Sequence, residues 1–309
     1  MKAVIYQKYG PPEVLQLIEM EKPKPGDNEV LVKVIATTVS AGVLWARTGK
    51  HPDSLLFTIA IRILFGITKP KKKILGYEFS GEVVSVGKDV KLFKKGDKVF
   101  GTTTGLDSGA YAEFVCIPEK WKQGVVAAIP ENVTDEDAAA IPVGAMAALY
   151  LLDKAKIQKG QKILIYGASG SVGTFAVQIA KHYFGAYVTG VCSAANLELV
   201  RTLGADKVID YTKDNFILNG QTYDFIFDAA GKLSASRIKN SLNKNGKYLT
   251  VKSPTKEKIE NLNILKELVE SGKIKPVIDK RYPLNQITEA HRYTEQGHKK
   301  GNVLILMNL

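Results

Sequence analysis

The sequence predicts an α/β protein of two domains, a bent, strand-rich barrel and a doubly wound domain with a mainly parallel sheet. Three observations predict it. The first third is short runs rich in Val and Ile, with Gly, Pro, Lys and Asp between them. From about residue 120 strand and helix patterns alternate, which implies parallel βαβ units with right-handed crossovers. After Val251 the pattern changes again and ends on a strand, so both chain ends are expected to build the barrel domain. The 309 residues fit two domains. The expected division is 1–121 with 254–309 for the barrel and 122–253 for the doubly wound domain.

In the first domain the expected strands are Ala3–Tyr6, Glu29–Ala36, Phe79–Val86 and Lys98–Phe100. Gly81, Gly87, Gly96, Gly101, Gly105 and Gly109 interrupt the runs, as a small, strongly bent antiparallel barrel requires. Residues 51–74 read as a helical insertion followed by the run KPKKK. In the second domain Asp135–Leu152 is alanine-rich and helical, capped by Thr134 and broken or kinked at Pro142. Strands follow at Lys162–Tyr166, Tyr187–Cys192, Lys207–Ile209, Phe225–Asp228 and Lys247–Val251, with helices at Gly173–Tyr183 and Ala195–Leu203. An amphipathic helix at Ile259–Ser271 stops at Gly272. An extended stretch at Lys275–Pro283, a helix at Asn285–Glu295 and a strand at Gly301–Met307 complete the chain.

Composition bounds the function. Two cysteines, Cys116 and Cys192, cannot make a disulfide framework or a four-cysteine zinc site, and they point to a reducing compartment, read as the cytoplasm. The N-terminus MKAVIYQKYG lacks the apolar stretch of a signal peptide. The net charge is +12, which suits an anionic cofactor, an anionic membrane or a lysine-rich surface. No aromatic–basic interleave or zinc-finger spacing supports specific nucleic-acid binding. The apolar run Leu55–Ile67 is shorter than the roughly 18–20 residues that span a bilayer, and Arg62 interrupts it. It is expected as a lid or rim element beside a substrate cleft, with a buried helix as the plainer alternative. Peripheral contact of Lys69, Lys71, Lys72 and Lys73 with anionic lipid is the alternative.

The strongest chemical signal is Gly167-Ala168-Ser169-Gly170-Ser171-Val172-Gly173, placed where a strand ends and a helix begins. Such a turn brings backbone N–H groups close to a pyrophosphate, where side chains would obstruct it, and the helix dipole favours the anion. The segment after the next strand, Val191–Asn196, holds no acid to accept from a ribose 2′-OH. Ser193 and Asn196 suit a 2′-phosphate instead, or else cap the following helix.

Several motifs in order make a resemblance. GYEFSGEVVSVG at Gly76–Gly87, KKGDKVFG at Lys94–Gly101, GAYAEFV at Gly109–Val115 and AAIPVGAMAAL at Ala139–Leu149 precede the glycine turn. LGADKVIDY, DFIFDAAG, NGKYLTV and GKIKPVIDKRYPLNQITEAHRY follow it. The whole chain resembles a zinc-independent medium-chain dehydrogenase/reductase of the quinone oxidoreductase and alkenal/enone reductase branch. That resemblance implies a GroES-like barrel domain joined to a Rossmann domain, with NADPH and substrate in the cleft between them. It assigns Ser169, Ser171, Val172 and Gly173 to the pyrophosphate, with Gly170 in the same turn, and places Ser193 and Tyr211 beside the adenosine 2′-phosphate, where Asn196 is the further candidate donor. Ala229, Ala230 and Val251 would approach the nicotinamide.

Departures from the family pattern are as informative. Zinc-dependent relatives place a cysteine near Ser40 and a histidine at Tyr77; this chain has neither, so no metal is expected. Tyr77 and Ser40 are instead the candidate hydrogen-bond donors to a substrate carbonyl. An Asn-Pro-x-Asp segment of many zinc-free relatives is Ser40-Ala41-Gly42-Val43 here, and a threonine that commonly faces the nicotinamide is Ala147. Similar reductases carry a lysine where Asn196 stands. The strand that often forms a dimer edge is expected to be missing after Val251, which leaves a monomer or homodimer open. The expected function is NADPH-dependent hydride transfer to a small apolar α,β-unsaturated carbonyl or quinone. The alternatives are carbonyl–alcohol interconversion and a weakly catalytic NADPH-binding protein. His51, His182, His291 and His298 show no metal spacing.

Overall fold

The computed structural model describes every residue except 53, 215, 216, 218, 219, 308 and 309. The chain divides into two compact units, Met1–Val143 with Ile278–Leu309, and Gly144–Val277. In chain order the first unit contains strands β1 (Lys2–Ile5), β2 (Gln16–Glu19) and β3 (Glu29–Thr38), helices α1 (Ala41–Thr48) and α2 (Leu55–Phe65), and strands β4 (Glu78–Val86), β5 (Lys98–Thr102), β6 (Phe114–Pro118) and β7 (Val126–Ala128). Helix α3 (Asp135–Ala139) closes this part, and α4 (Pro142–Ala155) leads into the second unit. That unit carries β8 (Lys162–Tyr166), α5 (Ser171–His182), β9 (Tyr187–Cys192), α6 (Leu197–Thr202), β10 (Lys207–Asp210), β11 (Tyr223–Asp228), α7 (Ala235–Ile238), β12 (Leu242–Thr250) and α8 (Ile259–Glu270). Strand β13 (Ile278–Pro283), helix α9 (Ile287–Glu295) and strand β14 (Asn302–Leu306) return to the first unit.

In the first unit a mostly antiparallel sheet runs β13-β14-β3-β4-β5-β7, and β6 also pairs with β3. The long β3 is its spine because its valines are buried: Val30, Val32 and Val34 pack with Phe79, Val83, Val99, Val115 and Ile117. The second unit is a parallel sheet ordered β10-β9-β8-β11-β12. Its central strands are continuous apolar runs, as a sheet covered on both faces demands: Ile163, Leu164, Ile165, Ile226 and Phe227 are fully buried. The order reverses between β8 and β11, the switch point where open α/β sheets bind ligands beyond their carboxyl ends.

The division differs from the sequence expectation at both junctions. Residues 122–143 belong with the first unit, because β7 pairs antiparallel with β5 and α3 packs on β3 and β4. Residues 254–277 belong with the second. Buried Leu262, Leu265 and Leu268 anchor α8, and the Gln178 amide bonds the Lys275 backbone both ways, donating to its carbonyl at 3.0 Å and accepting its N–H at 2.8 Å. Thr134 caps α3 as expected, accepting the Asp137 N–H at 3.1 Å. The break at Pro142 is complete, because proline fits the first turn of a new helix, where an N–H has no intrahelical acceptor. Residues 251–258 carry no strand.

One alternative is not realised. Leu55–Phe65 is helical, but it is not a buried helix: only Ile61 is buried, while Leu55, Leu56, Ile59, Ile63 and Leu64 lie in solvent. Among the described residues no helix is long and apolar enough to cross a membrane.

Candidate active site

All the residues that the sequence reading gave to a dinucleotide lie at the carboxyl ends of the five parallel strands. The glycine turn follows β8, Ser193 and Asn196 follow β9, Tyr211 follows β10, Ala229 and Ala230 follow β11, and Val251 follows β12. The turn is bolted to the sheet, since the N–H groups of Gly167 and Ala168 both donate to Val191 O at 3.0 Å. Gly167 adopts φ +76°, and a Cβ there would press on Ala230 Cβ at 2.9 Å. At Gly173 a Cβ would lie 2.0 Å from Gly167 O, so this glycine lets α5 start against the turn. Gly170 differs. A Cβ there would meet only Gly167 O, at 3.5 Å, which leaves open space over the turn. Gly170 places no side chain over the N-terminus of α5, the positive end of the helix dipole, which favours an anion. These features fit a pyrophosphate.

The turn after β11 is shaped by a carboxylate the sequence reading passed over. Asp228 is fully buried and accepts the N–H groups of Ala230 (3.2 Å) and Leu233 (2.8 Å) and the Tyr248 hydroxyl (3.1 Å). Ala229 N–H donates to Tyr166 O at 2.9 Å and Val251 N–H to Asp228 O at 3.2 Å, which ties the turns after β8, β11 and β12 together.

At the other end of the edge, neither Ser193 nor Asn196 makes a side-chain cap bond, so the capping alternative is not realised. Asn196 is 8% exposed and its Nδ2 donates to both Ser169 Oγ and Ser193 Oγ, each at 3.2 Å. The amide therefore does not point its donors outward. It positions two hydroxyls whose own protons remain available, and its Oδ1 is buried without a partner. The Tyr211 ring lies 6.2 Å from that of Tyr166, tilted by 50°. Beside them opens a cleft of about 330 Å³ whose lining includes Lys213, Asp214, Leu233 and Arg237. The sequence reading found no cation in the segment after β9. Lys213 comes from the turn after β10 and Arg237 from α7, which follows β11, and only strand order brings them here.

In the first unit Ser40 and Tyr77 meet around Gly42. A Cβ on Gly42 would lie 3.5 Å from Tyr77 Cε2 and 3.9 Å from Ser40 Oγ. Ser40 precedes α1 without capping it, and its Oγ and the Tyr77 hydroxyl are both buried without hydrogen-bond partners among the described residues. Burial holds the Tyr77 phenol far above its ordinary range, so it stays an O–H donor. Lys72, read from sequence as part of a surface run, turns inward. Its Nζ lies 5.4 Å from the Tyr77 ring centroid and 3.4 Å from Thr103 O, and burial pushes its pKa down to about 8. Glu78 is buried next to Tyr77 in sequence. It accepts the Thr38 hydroxyl and, at 2.7 Å, the Val143 N–H. Among the described residues no group of three or more His, Cys, Asp or Glu side chains is placed to hold a metal ion.

Residues 26–131 match the alcohol dehydrogenase GroES-like domain, and residues 171–278 and 253–305 match two models described as zinc-binding dehydrogenase. The chain is 33% identical over 324 residues to the 2-methylene-furan-3-one reductase of Solanum lycopersicum, covering 99% of this chain and 79% of that protein. The chain belongs to the medium-chain dehydrogenase/reductase superfamily. It is an oxidoreductase with the superfamily's GroES-like and Rossmann-like domains. Another medium-chain relative, the chloroplastic NADPH-dependent alkenal/one oxidoreductase of Arabidopsis thaliana, is 32% identical over 99% of this chain and 79% of its own. Among solved structures, the quinone oxidoreductase of Escherichia coli complexed with NADPH superposes with a TM-score of 0.81, at 26% identity, over 99% of this chain and all of the other.

Proposed function

We propose that this medium-chain oxidoreductase uses NADPH to reduce a small α,β-unsaturated carbonyl or a quinone, without zinc. The observation that carries the reading is the carboxyl edge of the parallel sheet, where an open glycine turn, two oriented serine hydroxyls and two cations occur together with no acid after β9. The names of the two plant relatives and of the bacterial structure support it.

When bound, NADPH supplies a hydride from C4 of its nicotinamide. The protein supplies position and charge. The N–H groups of Ser171, Val172 and Gly173, at the positive end of α5, hold the pyrophosphate, with Ser169 and Gly170 shaping the approach. Ser193 and Tyr211 donate to the 2′-phosphate, Lys213 and Arg237 add positive charge, and Asn196 fixes the serines. Ala229, Ala230 and Val251 form the wall for the nicotinamide. Tyr77 O–H and Ser40 O–H donate to the substrate oxygen as negative charge grows on it, and the Lys72 cation beside the Tyr77 ring favours that charge. Tyrosine and serine are poor zinc ligands near neutral pH, which is the basis of the zinc-free assignment. For an enone the hydride adds to the β-carbon, the C=C π pair moves onto oxygen as an enolate, and solvent protonates the α-carbon. A saturated ketone needs a committed acid. Both cysteines are free, in keeping with a reducing compartment such as the cytoplasm.

Steady-state NADPH oxidation against a panel of enones, quinones and saturated ketones tests the reading. Turnover should rank enones or quinones well above ketones and survive a zinc chelator. A preference for ketones, or for oxidising alcohols, overturns it, and binding of NADPH without turnover of any acceptor leaves a binding protein.

A further inference from the structure

Helix α2 is amphipathic the wrong way round. Its polar side chains face the protein. Thr58 accepts the His51 N–H at 3.0 Å and donates to Ser54 O at 2.9 Å. Arg62 donates to Gly49 O at 2.8 Å and to Ile67 O at 3.1 Å, and its guanidinium lies 4.0 Å from the Tyr9 ring centroid. Successive turns at 3.6 residues put Leu55, Ile59 and Ile63 in one row and Leu56 and Leu64 beside it, on the opposite face. Leu55 is 78% exposed, Leu56 77% and Leu64 72%, and Ile67 just beyond the helix is 74% exposed. No charged side chain interrupts this face.

The flanking charge says what covers it. From residue 54 to residue 77 there is no Asp or Glu, and the chain leaves the helix through Lys69, Lys71 and Lys73, all exposed. A second copy seated on the face would bring its own lysines against these. An anionic lipid surface meets both demands, taking apolar side chains at the acyl boundary and ammonium groups at the phosphates. Eleven residues span only about 16 Å along the helix axis, too short to cross a bilayer and suited to lying in its surface. We propose that α2 docks the protein on anionic membranes, with Leu55, Leu56, Ile59, Ile63 and Leu64 at the acyl boundary and Lys69, Lys71 and Lys73 among the headgroups.

The test is co-sedimentation of the full chain with phosphatidylcholine vesicles, with and without phosphatidylglycerol. Binding should require phosphatidylglycerol and weaken as salt rises from about 0.1 M to about 1 M. Replacing Lys69, Lys71 and Lys73 by Gln should weaken it roughly a hundredfold. The pair Leu56→Glu and Leu64→Glu should abolish it while circular dichroism and the thermal melt stay unchanged. Leu56→Trp, which keeps the face apolar, should show a blue shift in fluorescence on adding the anionic vesicles and none with the neutral ones. Three results overturn the proposal: equal binding to both vesicle types or none to either, binding that the substitutions leave intact, or a dimer in sedimentation velocity that the Glu pair dissociates.

Discussion

Tyr77 and Ser40 each end in a hydroxyl sealed from water with no partner among the described residues. An unmade buried hydrogen bond costs about 1–3 kcal/mol, so a pair of them beside one glycine marks a place kept for an acceptor from outside. If that acceptor is the substrate oxygen, Tyr77→Phe should lower kcat on the order of a hundredfold, for a lost donor contribution of about 3 kcal/mol. Unchanged turnover would remove Tyr77 from the reaction and leave the reaction class standing. A second buried group couples stability to pH. His291 is fully buried, hydrogen-bonded to the Tyr111 hydroxyl at 3.2 Å, and desolvation with the nearby Arg47 pushes its pKa down to about 3. The unfolded chain protonates this imidazole near pH 6.5, so between about 6.5 and 3 it binds one more proton than the native state. Stability should therefore fall as pH drops through that window, by about 1.4 kcal/mol per unit from this group. Denaturant midpoints at pH 7 and pH 5, above the range of most carboxylates, should differ in the wild type and converge in His291→Gln. An equal slope in both proteins would assign the acid sensitivity elsewhere.

At the scale of the element, the glycine turn holds three glycines with three different duties, and substitution separates them. Gly173→Ala places a methyl 2.0 Å from Gly167 O and must push α5 away from the turn, a destabilisation of about 1–3 kcal/mol visible in a thermal melt. Gly170→Ala meets no protein atom closer than 3.5 Å and should leave the melt unchanged. Its methyl instead projects into the space proposed for the pyrophosphate, so NADPH affinity measured by cofactor fluorescence should drop at least tenfold. Undiminished affinity in that variant would place the anion elsewhere. Helix α2 is the contrasting element. Its sequence is as apolar as a core strand, and a reading by hydropathy buries it, whereas the structure turns Thr58 and Arg62 toward the protein and leaves the leucines outside.

At the scale of the molecule, the strand order of the parallel sheet gathers residues from Gly167 to Val251 along one edge. The cofactor preference follows from that gathering. Ser193 and Tyr211, with Lys213 and Arg237 in the adjoining cleft, should favour NADPH over NADH by at least tenfold, since one charge-assisted hydrogen bond contributes about 1.5–3 kcal/mol. Ser193→Asp, which restores an acid after β9, should narrow or invert the ratio of the two affinities. Equal binding of the two cofactors by the wild type would sink the argument.

The parts of this protein that depend on local chemistry were written in the sequence. Alternating strands and helices, Thr134 as a cap, Pro142 as a break and the strand–glycine–helix turn each depend on neighbours a few residues away, and each formed where the local pattern put it. The tertiary structure decided what depends on distant partners. It set the domain junctions, because β7 and α8 choose sides by pairing and packing with segments far along the chain. It turned Asn196 from a ligand donor into the brace for Ser169 and Ser193, brought Lys213 and Arg237 to the edge, and turned Lys72 inward out of a run of surface lysines. A side chain's type can be read from one position, but its partners are fixed only when the sheet order closes the space around it.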